Sequence, residues 1–221
     1  ILGSTNDRWL GINSKSSGEN VLIIGTQTSF GSFGFNFTSL VENKWNHVAI
    51  THNGTDLTVY VDGIFAGSST GTLSVPLSDC VLGIGAEFDS ADGGSPGDYF
   101  EGYIADFRIT DGVLYETDFT PPVEPLPVTA NTKLLIRGDT ADVWDSSDNC
   151  NVGLHDGAEI NTEFTNNSEH FSIDCTGNKW MTISPTTHRI DMSGSDEYTV
   201  EFEFYNTELI NNSTIATYGH W

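Results

Sequence analysis

Positive charge is scarce in this chain, where 8 Lys and Arg residues stand against 31 Asp and Glu residues for a net charge of −23. A polyanionic phosphate backbone would be repelled by such a protein, so the composition argues against nucleic acid as a partner. Anionic membrane surfaces are disfavoured for the same reason. Simple solubility, adaptation to high salt and binding of a divalent cation all fit the acidity, and composition leaves the three open.

Cysteines and long apolar runs are also rare. Three cysteines without a CxxC pair argue against zinc and redox motifs. Cys150 and Cys175 could form a disulfide in an oxidising compartment, and unpaired thiols are the alternative. No apolar run approaches the roughly 20 residues that span a bilayer, so no membrane insertion is predicted. The chain begins at Ile1 without a signal peptide, which we interpret as a processed chain or a fragment of a longer protein.

Helical periodicity is missing too, apart from one possible turn near 187–192. The strongest strand pattern lies at 44–67, where two tight turns separate three predicted strands. Asn53-Gly54 and Asp62-Gly63 are residue pairs that accept positive φ at both centres of a type I′ turn. Between them, alternate residues are aliphatic and would share one face of a sheet; they are Leu57, Val59 and Val61.

Further short apolar or alternating runs predict strands along the rest of the chain. They lie at 9–12, 21–28, 30–37, 81–86, 99–110, 133–137, 170–174, 180–183, 198–205 and 213–218. Sheets of this size must cover an apolar face, so we predict an all-β fold of two antiparallel sheets packed as a sandwich. Four of the seven prolines fall within 121–127, and this segment reads as an extended linker.

Several stretches together resemble one known module. The C-terminal half of a laminin-G-like, concanavalin-like jelly roll is similar to KWNHVAITHNGTDLTVYVDG, LGIG and EGYIADFRITDGVLY. The N-terminal half of the same module is similar to NTKLLIRGDTADVWDSSDN, HFSIDCTGNKWMTI and DEYTVEFEFYNTEL. The variety seen in viral tail and fibre proteins and in long bacterial surface proteins resembles FRITDGVLYETDFTPP. The resemblance implies a two-sheet jelly-roll β-sandwich that is extracellular, on a cell surface or part of a virion.

The two halves stand in permuted order. Residues 1–122 form the C-terminal-type half, 123–131 the proline-rich linker and 132–221 the N-terminal-type half. Either the halves close on each other within one chain, or the chain spans two repeats of an array and pairs with neighbouring copies. Each half alone would expose sheet edges and an apolar face. We predict a non-catalytic structural or adhesive repeat of a filament, fibre or surface array. The alternative is a calcium-supported lectin-like module that binds glycans.

Catalytic motifs are weak in this sequence. Glu201 and Glu203 share one face of the predicted strand 198–205, and a retaining glycosidase places two carboxyl groups about 5 Å apart across a sugar. The extended acidic strand pattern of such enzymes is missing, so we interpret both residues as acids on a solvent face and expect no enzyme. His47 and His52 fall on opposite faces of one strand and are interpreted as structural or surface residues.

Calcium is the one inorganic ligand that the sequence suggests, because it takes oxygen ligands at irregular spacing and modules of this kind often carry it. One candidate set lies in a Gly-rich loop and comprises Asp89, Asp92 and Asp98. The other would gather Asp106, Asp139 and Asp145. Neither matches the EF-hand pattern, and plain acidic loops are the alternative.

Glycan binding calls for exposed aromatic rings flanked by polar groups. Candidate rings near predicted loops or strand ends are Trp144, Trp180 and Tyr205. Trp45 opens the central hairpin and is expected in the core.

Overall fold

The computed structural model describes residues 10–16, 20–28, 31–37, 41–70, 82–88, 96–137, 144–145, 150–165, 171–185, 197–208 and 213–218. Every regular element within these ranges is a β-strand, which confirms the all-β class. None of them is therefore a helix long and apolar enough to cross a membrane. The possible helical turn at 187–192 lies outside the described residues.

The first part of the chain contributes ten strands, and the part after the prolines contributes eight. The first ten are β1 (Leu10–Ser16), β2 (Asn20–Thr28), β3 (Gly31–Phe37), β4 (Trp45–Asn53), β5 (Asp56–Val61), β6 (Ile64–Thr70), β7 (Leu82–Ile84), β8 (Glu87–Phe88), β9 (Pro96–Gly97) and β10 (Gly102–Asp111). The others are β11 (Thr132–Arg137), β12 (Trp144–Asp145), β13 (Cys150–His155), β14 (Glu159–Thr165), β15 (Phe171–Asp174), β16 (Trp180–Pro185), β17 (Glu197–Asn206) and β18 (Ser213–Tyr218).

Two large antiparallel sheets form the sandwich. One has seven strands in the order β13-β16-β7-β18-β1-β2-β3. The other has nine, with β12-β11-β10-β17-β4-β5-β6 in a row and β15 and β14 attached beside β10. Strand β17 lies between β10 and β4, and β18 lies between β7 and β1. Both halves of the permuted sequence therefore share both sheets within one chain.

The core fills the space between the two sheets. Strand β17 shows the expected alternation, with Val200, Phe202 and Phe204 in the core and the residues between them on the other side. The aliphatic residues Leu57, Val59 and Val61 of β5 are buried as predicted. Phe107 and Phe202 stack with their ring centroids 5.6 Å apart. Full burial of one such side chain contributes about 1.5–3 kcal/mol.

The two predicted hairpin turns differ in type. Asp62 and Gly63 have φ values of 50° and 76°, which confirms a type I′ turn. In the first turn only Gly54 has positive φ, at 86°, as the leading central residue of a type II′ turn does. The prediction that Asn53 would be a central residue is wrong. Its side-chain oxygen accepts hydrogen bonds from the backbone N–H groups of Thr55 and Asp56, and this keeps Asn53 at the corner of the turn.

The segment between β10 and β11, residues 112–131, is here called the strap. It contains no strand, as its prolines predict, but it packs across the outer face of the nine-stranded sheet, the face turned away from the core. The Phe119 ring lies 5.7 Å from that of His47 and 5.5 Å from that of Tyr60, and Leu126 is 4% exposed. The proline segment is thus part of the domain and not a free spacer.

Candidate functional site

A buried charged cluster lies at the centre of the outer face. Arg108 on β10 faces Glu201 on β17 across the strand pair. The Arg108 Nε donates to Glu201 Oε1 at 2.7 Å, and Nη2 donates to the same oxygen. Tyr115 of the strap donates its hydroxyl to Oε2 at 2.8 Å, and His47 Nε2 lies 3.5 Å from that oxygen. Three side chains, from β10, β4 and the strap, therefore meet at the Glu201 carboxylate.

The interpretation of Glu201 and Glu203 as acids on a solvent face is wrong. Glu201 is 0% exposed and Glu203 is 8% exposed, because the strap covers this part of the sheet. Burial raises the pKa of Glu201, but the nearby His47 ring and the charge of Arg108 outweigh burial and hold the pKa below its ordinary value. Glu201 is thus a buried carboxylate in an ion pair.

Tyr115 connects this cluster to the surface. Burial and the neighbouring carboxylate raise the pKa of Tyr115 far above its ordinary value, so its hydroxyl remains a hydrogen-bond donor. The ring of Phe119 stacks on the Tyr115 ring with centroids 3.6 Å apart and planes 8° apart. The ring is therefore fixed at its hydroxyl and on one face, and Tyr115 also lines the cleft described next.

A cleft of about 450 Å³ opens on the outer face, at the end of the sheet where a turn joins β4 to β5. The strap forms one wall and the strands β4, β5 and β17 form the rest. Its described lining comprises Thr51, Asn53, Asp56, Thr58, Tyr60, Val113, Tyr115, Glu116 and Glu197. Clefts of roughly 300–1,000 Å³ are typical of small-molecule sites in proteins.

The lining chemistry is polar, acidic and aromatic. The described lining has three carboxylates, from Asp56, Glu116 and Glu197, and no Lys, Arg or His. Burial raises the pKa of Tyr60, and the nearby carboxylates of Asp118 and Glu116 add to the effect. Carboxylates and hydroxyls arranged around aromatic rings can accept and donate hydrogen bonds to a polyhydroxylated ligand while a ring contacts its apolar face.

The three predicted glycan-binding aromatics do not gather at this cleft. Trp180 is 6% exposed, because the His155 ring covers it at a centroid distance of 3.8 Å, so it is not the exposed ring that was expected. Tyr205 is half-buried at the opposite end of the outer face, in contact with Trp45 and Phe164. Trp144 lies on the edge strand β12, and its side chain lies outside the described part of the structure.

Trp45 was expected in the core but lies half-buried on the outer face. Its indole N–H donates to the Thr165 carbonyl at 3.1 Å, which ties β14 over this end of the sheet. Tyr60 and Tyr115 are not among the site residues that the sequence predicts. The alternation on β5 places Tyr60 opposite its aliphatic neighbours, whereas Tyr115 lies in an irregular segment that has no periodic pattern.

The candidate calcium ligands that the structure describes do not gather in one place. Asp98 is exposed in a turn, and Asp106 is buried beside His47 and Glu203 at a cavity of about 10 Å³. Asp145 lies on β12, opposite Ile136. Asp89, Asp92, Asp139 and the side chain of Asp145 lie outside the described residues. Within the described ranges no group of three or more His, Cys, Asp or Glu side chains is placed to hold a metal. Calcium stays a prediction.

Cys150 and Cys175 are both thiols and are not joined. Cys150 faces Pro185 at one end of the β13–β16 pair, whereas Cys175 lies beside Gly85, before the other end of that pair. Several residues of extended strand, at about 3.3 Å each, separate the two ends. A disulfide tolerates only about 7 Å between Cα atoms, so the suggested disulfide is wrong for this structure. Burial raises the pKa of the Cys175 thiol.

Two antiparallel sheets face to face, with a polar cleft on an outer face, define a β-sandwich of the lectin type. A laminin G family model, described as the concanavalin A-like lectin/glucanases superfamily, matches residues 1–118, more than half of the chain. The chain belongs to this superfamily, which confirms the resemblance inferred from its motifs. No curated protein sequence matches it.

Proposed function

We propose that this protein is a non-catalytic glycan-binding module of an extracellular, cell-surface or virion protein, and that the outer-face cleft is its sugar site. The observation that carries the proposal is the cleft itself, whose Tyr115 wall is fixed by the buried Arg108–Glu201 pair. Preorganised walls favour binding because little side-chain freedom is lost when a ligand enters.

The charge of the cleft selects its ligand. Three carboxylates line it, and the protein as a whole carries a net charge of −23. Sialylated, sulfated and uronic glycans would be repelled by this field. Neutral and amino sugars fit, since their hydroxyl and amine groups donate hydrogen bonds to carboxylates. The proposed ligand is therefore a neutral or amino-sugar oligosaccharide.

Binding without catalysis fits the position of Glu201, the buried acid nearest to the Tyr115 wall. A glycosidase presents a general acid to the sugar oxygen. Glu201 is buried under the strap, holds an ion pair with Arg108 and has a lowered pKa, so it is a poor proton donor and is screened from the cleft. The proposed role is recognition.

A glycan array tests the proposal, with neutral, amino-sugar, sialylated and sulfated oligosaccharides and with or without a calcium chelator. Asp56→Asn and Glu116→Gln should each weaken binding of neutral glycans by about tenfold or more, as loss of charge-assisted hydrogen bonds does. Glu163→Gln removes one exposed carboxylate on β14, away from the cleft, and is the matched control. Absence of neutral-glycan binding, or equal binding by all variants, would remove the proposal. Loss of binding with the chelator would support the predicted calcium dependence.

A second candidate function, the structural repeat of a fibre or surface array, is favoured by β6. This strand ends the row of the nine-stranded sheet, and its Ile64 and Phe65 are 58% and 54% exposed. Exposed apolar edge strands pair readily with other chains. Sedimentation at increasing concentration should show self-association that Ile64→Lys abolishes. A monomer at all concentrations would exclude this candidate.

A further inference from the structure

We propose that Asn53 is a site of self-modification, at which the β4–β5 turn converts the side-chain amide to a carboxylate through a cyclic imide with Gly54. Asn53-Gly54 is the single Asn-Gly pair of the chain. Asn53 is exposed and lines the cleft, so water reaches it. Two sets of hydrogen bonds in the turn support the reaction, one at the electrophile and one at the nucleophile.

The electrophile is the side-chain carbonyl of Asn53. Its Oδ1 accepts hydrogen bonds from the backbone N–H groups of Thr55, at 3.0 Å, and of Asp56, at 2.8 Å. Attack on this carbonyl moves negative charge onto Oδ1. Two backbone N–H donors aimed at a developing oxyanion are the arrangement that enzymes use to lower the barrier of acyl transfer.

The nucleophile is the backbone nitrogen of Gly54. Its N–H donates to Nδ1 of His52 at 3.3 Å, so this ring nitrogen carries a lone pair directed at the proton that must leave. The His52 ring is 2% exposed and stacks with Tyr198 at a centroid distance of 5.3 Å, which holds it in place. A positioned imidazole is the commonest general base in proteins. Gly54 has no Cβ to hinder ring closure.

The atoms balance without an oxidant or a cofactor. A bond forms between Gly54 N and Asn53 Cγ while the Gly54 proton passes to His52 Nδ1. The amide C–N bond then breaks, and ammonia leaves with the proton that His52 returns. Water opens the five-membered imide and gives aspartate or isoaspartate at position 53.

The product alters the cleft. A new carboxylate joins those of Asp56 and Glu197, and the isoaspartate form adds a backbone atom to the turn. This consequence for ligands depends on the proposed glycan site, whereas the reaction itself does not. Asp62-Gly63 is an internal comparison, because Asp62 has a carboxylate, paired with Lys44, and no amide nitrogen that could leave as ammonia. We expect little rearrangement there.

Peptide mapping by mass spectrometry tests the reaction during incubation at neutral pH, with folded protein and urea-unfolded protein side by side. The folded protein should convert position 53 faster than the unfolded chain by about tenfold or more, within what a positioned base and oxyanion donors supply. His52→Phe keeps an aromatic ring against Tyr198 and should remove this advantage. Conversion in the folded wild type that is equal to or slower than in urea would overturn the proposal, because the hydrogen bonds would then only lock the side chain.

Discussion

Replacing Arg108 with Met tests the buried cluster most directly. The change leaves Glu201, which is 0% exposed, without the guanidinium that donates two hydrogen bonds to Oε1. Tyr115 and His47 remain at the other oxygen. Removing one partner of a buried ion pair costs about 3–5 kcal/mol, a large share of the roughly 5–15 kcal/mol that holds most domains folded. We therefore expect a folded but strongly destabilised protein.

The loss should depend on pH in a defined direction. In the wild type the pKa of Glu201 is lower in the folded state than in the unfolded state. The ionised carboxylate therefore stabilises the folded protein fully above the unfolded pKa, and this stabilisation is lost as pH falls through the folded pKa, below about pH 4. Without Arg108, burial should raise that pKa above the unfolded value, so the variant's folded state gains protons and stability as pH falls. The difference in unfolding free energy between wild type and Arg108→Met should therefore shrink between pH 7 and pH 5.

Urea unfolding followed by tryptophan fluorescence measures this difference. With a slope of ~2 kcal/mol per molar urea, the midpoint of the variant should fall by about 1.5–2.5 M at pH 7. Adding Glu201→Gln to the variant removes the buried charge and should recover most of the loss. Lys44→Met breaks the exposed Lys44–Asp62 pair and should change the unfolding free energy by only about 0–1 kcal/mol. A loss for Arg108→Met as small as that of Lys44→Met, or one independent of pH, would refute the reasoning.

Three other changes test the strap. Gly63→Ala should lower the unfolding midpoint and expose the strap to limited proteolysis, because a Cβ would lie 2.0 Å from the Phe119 carbonyl oxygen. Gly157 also has a positive φ, but a Cβ there would have no atom within 4 Å, so Gly157→Ala should lower the unfolding free energy less. Leu126→Ala should cost about 2–4 kcal/mol in chemical unfolding, and a cost below ~1 kcal/mol would contradict its burial between the strap and the sheet. Tyr115→Phe should cost about 1.5–3 kcal/mol at pH 7, since the buried carboxylate loses a donor, and an unchanged midpoint would contradict that hydrogen bond.

The side of each strand that faces the core was predictable from the sequence. A period of two residues fixes the face, so the alternation in β5 and β17 correctly placed Val59 and Phe202 in the core. The same alternation placed Glu201 on the other face. Whether that face meets water depends on the strap, whose path follows from irregular packing and not from any repeat in the sequence. The predicted face of Glu201 was therefore correct, whereas its predicted solvent exposure was wrong.

A bulge explains another part of the difference. Ile104 and Phe107 both lie in the core although they are three residues apart, because the β10–β17 register shifts between Ala105 and Arg108 and Asp106 takes a φ of 50°. One extra residue in a strand turns the following side chains over. After the bulge, Arg108 pairs across strands with Glu201. The expected exposure of the Trp180 ring differs from the structure because His155 covers it. His155 lies on β13, a strand that the sequence did not predict.

The path of the strap also bears on the two organisations that the permuted order allowed. The same strand pairings could form within one chain or between copies, so motifs alone left both open. The strap returns the chain to its starting point: the Asp111 N–H donates to the Asn131 carbonyl at 2.9 Å, and Thr110 pairs with Thr132 as β11 begins beside β10. Arg108 and Arg137 then hold the strap by donating to the carbonyls of Pro127 and Leu126. The strap is therefore bonded at both ends to the nine-stranded sheet. This favours closure within the chain, because the second half of the chain re-enters the sandwich at β11, directly beside β10 of the first half.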